Sequence, residues 1–196
     1  MEQFYHGSSV KFDTFNLGHA LEGDGKVKFG YGVYVTEKFA SAAHYAYNEM
    51  RPENKTYYVY TVEIPSLTED NHLFSCRKVA ASVVRRTEEK LGETIPEEVC
   101  EKGKYFRKYV GNKVLNRKGT VKQLMGKADL EAEIAAAQFF NDIIDFFVWP
   151  QSQSKPDGLT NRAVISADKV RIVKIQTVEL DSKFQLIEGS EKDVPF

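Results

Sequence analysis

The sequence has little cysteine and almost no excess of charge of either sign. Its 196 residues include only two cysteines, Cys76 and Cys100, and these form no CxxC pair. We therefore expect reduced thiols in a cytoplasmic protein rather than a disulfide framework or a zinc site. The 27 basic and 28 acidic residues nearly cancel, so the overall charge does not favour nucleic acid as a partner.

Long apolar runs and targeting segments are also missing. No stretch approaches the roughly 18 apolar residues that a membrane span needs, so we expect no membrane partner. The opening MEQFYHGSS has neither a basic start nor an apolar core, so we expect no cleaved signal peptide; export without a cleaved signal stays open. His19, His44 and His72 are scattered along the chain, and their spacing indicates no metal site.

The length and the residue pattern predict one α+β domain over residues 1–196. Strands are predicted at 32–36 and 57–64 with a helix over 37–50 between them, and a helical region, or insertion, covers about 75–128 and continues to about 147. The last strands follow a short strand ending at Pro150 and flank a turn at Ala167–Asp168. Because strands come first and last, we expect distant chain segments to share a sheet, with the helical middle outside it.

Local signals predict several boundaries. Thr94, with Glu97 three residues later, is typical of a helix start, and Asp129 is a candidate cap for the next long helix. That helix would bury Leu130, Ile134, Ala137, Phe140 and Ile144. Pro52 and Asn54 indicate a turn, and residues 151–158 have the composition of a loop.

A His-Gly-Ser sequence near the start is the first candidate for chemistry. Gly7 allows a close backbone approach to a flat ligand, and the imidazole of His6 offers a donor or an acceptor beside it. Taken alone, the pair is more typical of an ordinary strand end than of a binding site.

Two tyrosines follow at a suggestive spacing. Tyr34 and Tyr45 stand eleven residues apart in GYGVYVTEKFASAAHY, and a strand followed by a helix can bring such a pair face to face. Parallel aromatic rings form a slot for a planar cation such as the nicotinamide of NAD⁺. Most tyrosines in an aromatic-rich chain are packing residues, so the spacing alone does not decide between these functions.

The combination of these motifs is more specific than either one. YHGSSVKF followed by GYGVYVTEKFASAAHY resembles the H-Y-E branch of the ADP-ribosyltransferase superfamily, which includes diphtheria-type toxins and poly(ADP-ribose) polymerases. The resemblance extends loosely to NRAVISADKVRIVKI, and residues 66–128 match no pattern of that family. It implies an ADP-ribosyltransferase-like split β-sheet sandwich that binds NAD⁺ between the two halves of its sheet.

The resemblance also implies roles for particular residues. His6 would hydrogen-bond the nicotinamide ribose, Gly7 would hold the carboxamide through its backbone, and Ser8 would support the same turn. Tyr34 and Tyr45 would sandwich the nicotinamide ring. Ala42 stands where the polymerases have serine, a change that the diphtheria-type toxins tolerate.

The clearest departure from the family concerns its catalytic glutamate. Arg162 stands where a late strand of this branch opens with Glu, and a cation beside a developing oxocarbenium ion is unfavourable. Arg162 is therefore either the active-site counterpart of that glutamate, or out of register, or turned away from the ligand. Glu133 and Glu179 are the nearest alternative carboxylates.

These features together imply a mono-ADP-ribosyltransferase of bacterial or phage type, similar to the toxins of that branch. It would use NAD⁺ as co-substrate, need no metal, and transfer ADP-ribose to an unknown acceptor, for which we expect a protein. Two alternatives stay open. One is an inactive module that binds NAD⁺, ADP-ribose or a protein partner, and the other is a phosphotransferase acting on a 2′-phosphorylated RNA end, which the paired tyrosines and the balanced charge disfavour.

Overall fold

The computed structural model describes residues 1–19, 27–47, 56–152 and 158–195, and within these ranges the chain is a mixed α+β protein. Its described strands are β1 (Glu2–Ser8), β2 (Val33–Thr36), β3 (Tyr57–Ile64), β4 (His72–Phe74), β5 (Phe146–Pro150), β6 (Thr160–Val164), β7 (Arg171–Val178) and β8 (Lys192–Val194). Its described helices are α1 (Phe39–Tyr45), α2 (Ala81–Leu91), α3 (Glu97–Cys100), α4 (Gly103–Val114), α5 (Val121–Gly126) and α6 (Leu130–Phe140).

The strands form one sheet in the order β4-β5-β6-β2-β1-β3-β7-β8. All neighbours are antiparallel except β4 and β5, which are parallel and are connected by the helices α2 to α6. The two late strands β6 and β7 are adjacent in sequence but lie on opposite sides of the early strands. This arrangement confirms the prediction that distant segments share a sheet.

The two central strands of the sheet, β1 and β2, are joined by very little backbone pairing. β1 and β2 share a single registered pair, Tyr5 with Thr36, whereas β1 pairs with β3 along its whole length. Beyond that pair the two strands continue without registered pairing. We call this opening, bounded by His6–Ser8 of β1 and Val33–Val35 of β2, the strand split.

The two faces of the sheet carry different cores. Partners across antiparallel strands share a face, and neighbours along a strand alternate. One face carries Tyr34 and Ala163 and is covered by the helices, which bury Phe106, Phe140 and Trp149. The opposite face has a core of Phe4, Tyr60, Phe146, Val148 and Val164, onto which the loop residues Phe12, Phe15 and Leu67 pack.

Some local predictions were confirmed. The side chain of Asp129 caps α6 by accepting a hydrogen bond from the backbone N–H of Ala132 at 3.0 Å. The short strand ending at Pro150 is present, and the turn at Ala167–Asp168 is a 3₁₀ segment, Ala167–Lys169.

Other local predictions were wrong. Thr94 caps no helix, because α3 begins only at Glu97 with Pro96 before it. Ala137, Phe140 and Ile144 are buried as predicted, but Leu130 of α6 is 40% exposed. Glu133 is buried in addition, because it pairs with a buried arginine of α4. The predicted turn at Pro52 and Asn54, residues 48–50 of the predicted helix and most of the loop at 151–158 lie outside the described residues.

Candidate functional site

His6 lies at the strand split and bridges its two sides. Its Nδ1 is 2.7 Å from the backbone oxygen of Tyr34 on β2. A carbonyl oxygen only accepts, so we assign the proton to Nδ1. Burial lowers the pKa of His6 below 6.5, and the Tyr34 carbonyl opposes that change only in part. The ring is therefore neutral near pH 7 and leaves Nε2 as an acceptor, with no partner for it among the described residues.

Aromatic rings surround the same imidazole. The ring centroid of Phe15 is 5.1 Å from that of His6, and those of Phe12 and Tyr60 are 6.0 and 6.1 Å away. The Tyr60 hydroxyl accepts a hydrogen bond from the backbone N–H of Phe12 at 2.8 Å. This cage fixes the orientation of the imidazole.

Gly7 is required by the packing of helix α1. A Cβ atom at this position would lie 1.8 Å from the backbone oxygen of Ala42 and 2.8 Å from the nitrogen of Ala46. Only glycine lets α1 approach β1 so closely. The backbone N–H and C=O groups of successive residues point to opposite sides of a strand. Because the Tyr34 carbonyl points towards β1, the backbone groups of Thr36, two residues later, also point towards β1 and face those of Tyr5. Gly7, two residues further along, then directs its N–H and C=O into the strand split.

Tyr34 is held on the helix-covered face. Its hydroxyl donates to the backbone oxygen of Gly30 at 2.9 Å and accepts from the N–H of Phe29 at 3.2 Å. Its ring centroid lies 5.0 Å from that of Trp149. Burial raises the pKa of Tyr34 to about 12, so the hydroxyl stays protonated and acts as a fixed anchor.

A buried ion pair stabilises the loop that holds Tyr34. Arg107 of α4 contacts Glu133 of α6 through Nε at 2.6 Å, and both side chains are at most 4% exposed. A second nitrogen of Arg107 donates to the backbone oxygen of Phe29 at 2.9 Å, and the Phe29 ring stacks on Trp149 at 4.4 Å. The helical region is therefore connected to the motif around Tyr34. Sequence reasoning missed Arg107, because no local pattern links it to a glutamate 26 residues away.

Tyr45, at the end of α1, and Ser8, at the end of β1, differ in their exposure and contacts. Tyr45 ends α1 with 64% of its surface exposed, and its ring contacts His44 edge-on at 5.6 Å. No described ring contact joins Tyr45 to Tyr34. The hydroxyl of Ser8 accepts a hydrogen bond from the N–H of Val10 at 3.1 Å and so fixes the turn after β1.

Arg162 shares a face with His6 but turns away from it. It pairs in register with Val35, which stands opposite His6 across the split. Its side chain is 6% exposed and lies over the ring of Phe4, and its Nη1 approaches Glu2 Oε2 at 2.7 Å. Glu2 lies four residues before His6, about 13 Å along the strand. The guanidinium is therefore neutralised at the far end of β1, and its Nε has no hydrogen-bond partner in the described part of the chain.

The carboxylates considered as alternatives to the family glutamate make contacts elsewhere in the structure. Glu133 is committed to Arg107, and Glu179 is exposed after β7, with Lys192 at 3.9 Å. Glu37, directly after β2, accepts hydrogen bonds from the backbone N–H and the hydroxyl of Thr160. No described contact brings a carboxylate to Nε2 of His6.

Two unpartnered amide oxygens lie on the Tyr34 face beneath α1. Gln151 donates through Nε2 to the hydroxyl of Ser41 at 2.6 Å. Its Oε1 and the Oδ1 of buried Asn161 have no hydrogen-bond partner among the described residues. Gln151 begins the stretch whose composition predicts a loop, and the sequence carries no signal that links it to Ser41.

Comparisons with known proteins give no match from which a function could be transferred, so a function has to be inferred from the residues of this chain. No family model matches the chain, and no curated protein or solved structure matches it significantly. In the described ranges, no group of three or more His, Cys, Asp or Glu side chains could hold a metal ion. None of the helices described is long and apolar enough to span a membrane.

Proposed function

We propose that the protein has an ADP-ribosyltransferase-like fold, binds NAD⁺ at the strand split, and acts as a mono-ADP-ribosyltransferase. The observation that carries this proposal is the single pair between β1 and β2. It opens the sheet beside His6, Gly7 and Tyr34, the residues that the motif resemblance selects. A ligand entering between two strands that lack registered pairing can reach side chains from both faces of the sheet, which would otherwise be separated.

Each residue around the split has chemistry that suits part of NAD⁺. The neutral His6 ring offers Nε2 as an acceptor for a ribose hydroxyl. Gly7 offers a backbone donor and acceptor of the kind a carboxamide requires. The exposed ring of Tyr45 could close over a planar cation next to the anchored Tyr34. These groups position the substrate, and positioning is a substantial part of such catalysis.

The reaction would break the bond between the ribose C1′ and the nicotinamide nitrogen. The electron pair leaves with nicotinamide, which becomes neutral, and an acceptor nucleophile forms the new bond to C1′ and loses a proton. No contact among the described residues joins a carboxylate to His6, where it would stabilise the positive charge that develops on the ribose. We therefore expect slow or single transfer and no polymer synthesis.

The second candidate is an NAD⁺-binding module without turnover. The observation that favours it is the Arg162–Glu2 ion pair at the position that the family uses for its glutamate. In this alternative the split keeps its ligand-binding residues while the group that stabilises the oxocarbenium ion is missing.

Incubation with labelled NAD⁺ and a cell lysate separates these candidates. Release of nicotinamide with label transferred to a macromolecule would support the transferase, and saturable NAD⁺ binding without release would support the module. Loss of affinity in Tyr45→Ala but not in Tyr47→Ala, a matched tyrosine that stacks on Phe184 at 3.7 Å, would locate the ligand. The absence of both binding and release would refute the proposal, as would efficient polymer synthesis.

A further inference from the structure

The total charge is near neutral, but the basic and acidic residues are distributed unevenly along the chain. Residues 102–128, which we call the basic segment, contain nine lysines and arginines and no aspartate or glutamate. The remainder of the chain carries 18 basic and 28 acidic residues. Net charge alone therefore conceals a cationic surface, and the distribution decides which partners are attracted.

Most lysines of the basic segment are not paired with carboxylates. Elsewhere, Lys78, Lys90, Lys169 and Lys174 each lie within 4 Å of a carboxylate. Within the basic segment, Arg107, Lys113 and Arg117 are paired. Six lysines have no carboxylate within 4 Å among the described residues, namely Lys102, Lys104, Lys108, Lys118, Lys122 and Lys127.

The fold brings several of these lysines together. Asn112 ties α4 to α5 by donating to the backbone oxygens of Lys108, Leu124 and Lys127. Nζ of Lys108 reaches the backbone oxygen of Gly126 at 3.0 Å, next to Lys127. Lys104 lies one turn before Lys108 on the same face of α4. Burial lowers the pKa of Lys108, and the charges of Arg107 and Lys104 add to this effect while Glu133 opposes it.

A second group of cations lines a cavity at the other end of α4. This cavity has a volume of about 320 Å³, and its lining includes Lys113, Arg117 and Lys118 together with Glu93, the carboxylate that pairs with Lys113. Lys118 has no carboxylate partner in the described chain. The cavity extends the cationic surface across the turn between α4 and α5.

An aromatic ring lies within the cationic surface. Tyr105 is half-buried, and the ammonium groups of Lys102 and Lys104 lie 5.6 and 5.1 Å from its ring centroid. Lysines that track phosphates, together with an aromatic ring on which a base can stack, are typical of single-strand nucleic-acid binding. An acidic peptide would use the charges but not the ring.

We propose that the surface of the basic segment binds single-stranded nucleic acid through its phosphates, with Tyr105 as a stacking platform. This binding site is separate from the strand split and independent of NAD⁺. This proposal differs from the expectation, drawn from total charge, that nucleic acid is disfavoured as a partner.

Fluorescence anisotropy of the intact protein with a labelled oligouridine of about 20 nucleotides tests this site. The test variant is Lys104→Gln/Lys122→Gln/Lys127→Gln, which changes exposed lysines only. The matched control is Lys174→Gln/Lys183→Gln/Lys192→Gln, which removes the same charge from β7, the following turn and β8. We expect the test variant to bind about tenfold more weakly or worse and its salt slope to fall by about 2, given about 0.7 for each lost phosphate contact.

Several outcomes would overturn the proposal. These are equal losses in the two triple variants, no binding at low salt, and an unchanged affinity in Tyr105→Ala. Equal competition by polyglutamate of the same charge would favour an acidic protein instead. Binding to phosphatidylserine vesicles that oligouridine does not compete away would favour a membrane surface. Circular dichroism of each variant confirms that a lost affinity is not lost folding.

Discussion

At the scale of single residues, the hydrogen bond from His6 to the Tyr34 carbonyl determines what the imidazole can do. It fixes the proton on Nδ1 and leaves Nε2 as an acceptor, while the surrounding aromatic rings cover part of the imidazole. The same burial makes protonation of the folded protein unfavourable. His6 is therefore both a ligand-binding candidate and a pH-sensitive element of stability.

We predict that the free energy of unfolding falls as the pH is lowered through about 6.5 towards 5. Burial lowers the pKa values of His6 and His72 in the folded state, so the unfolded chain binds more protons in this range. Their contribution is complete above 6.5 and is lost as the pH falls through the folded values. Carboxylates such as Asp129, with a pKa below 3.8, do not titrate here.

Urea denaturation between about pH 5 and pH 8 measures this effect. The variant His6→Gln/His72→Gln should show a flatter dependence on pH. An unchanged dependence in that variant would show that other groups are responsible.

Arg162 is also decided at the scale of single residues, because it forms its ion pair with Glu2, 160 residues away in the sequence. We predict that Arg162→Glu destabilises the fold by about 3 kcal/mol or more, since it brings two carboxylates together beside a buried face. The double variant Glu2→Arg/Arg162→Glu should recover a substantial part of the loss. Because the guanidinium turns from His6 towards Glu2, the single variant should gain no NAD⁺ hydrolysis.

A double-mutant cycle from urea denaturation, together with nicotinamide release, checks this prediction. Full stability of Arg162→Glu with increased NAD⁺ hydrolysis would contradict it. That result would mean that residue 162 faces the ribose.

At the scale of elements, the ion pair between α4 and α6 connects the helical region to the strand split. Arg107 holds both Glu133 and the backbone oxygen of Phe29, and the Phe29 N–H binds the Tyr34 hydroxyl. Only the Tyr34 hydroxyl among these groups belongs to a residue that bounds the split. These contacts act by fixing the loop from which β2 emerges.

We predict that Arg107→Met destabilises the protein by about 3–5 kcal/mol, because it leaves Glu133 buried and unpaired. The double variant Arg107→Met/Glu133→Leu should regain most of that stability. It should still bind NAD⁺ more weakly than the wild type, because the Phe29 carbonyl has lost its donor. Denaturation and NAD⁺ titration of both variants measure the two effects separately, and wild-type affinity in the double variant would remove Arg107 from this positioning role.

The sequence predicted the positions of helices and strands better than it predicted which elements and side chains contact each other. The strands at 33–36 and 57–64 and the Asp129 cap depend on neighbouring residues, so their patterns are readable locally. The buried face of α6 was predicted correctly at Ala137 and Phe140 but wrongly at Leu130, and the burial of Glu133 was missed because its partner Arg107 is far away in the chain. The order of the strands, the Glu2 partner of Arg162 and the Gln151–Ser41 contact are equally non-local.

At the scale of the whole molecule, the described helices cover one face of the sheet, and the cations of the basic segment lie on α4, on α5 and in the residues next to them. The strand split is in the middle of the sheet, where the two halves share one registered pair. The split and the cationic surface are therefore carried by different elements. A protein of this design could bind a small co-substrate and a polyanion at the same time.

The central claim is that NAD⁺ occupies the strand split, and an NMR titration of backbone amides with NAD⁺ tests it most directly. The account predicts saturable shifts centred on the amides of Gly7, Val35 and Tyr45, with a dissociation constant of about micromolar to millimolar. These shifts should weaken strongly in His6→Ala and persist in Tyr47→Ala. Absence of saturable shifts at millimolar NAD⁺, or shifts confined to residues far from β1 and β2, would contradict the claim.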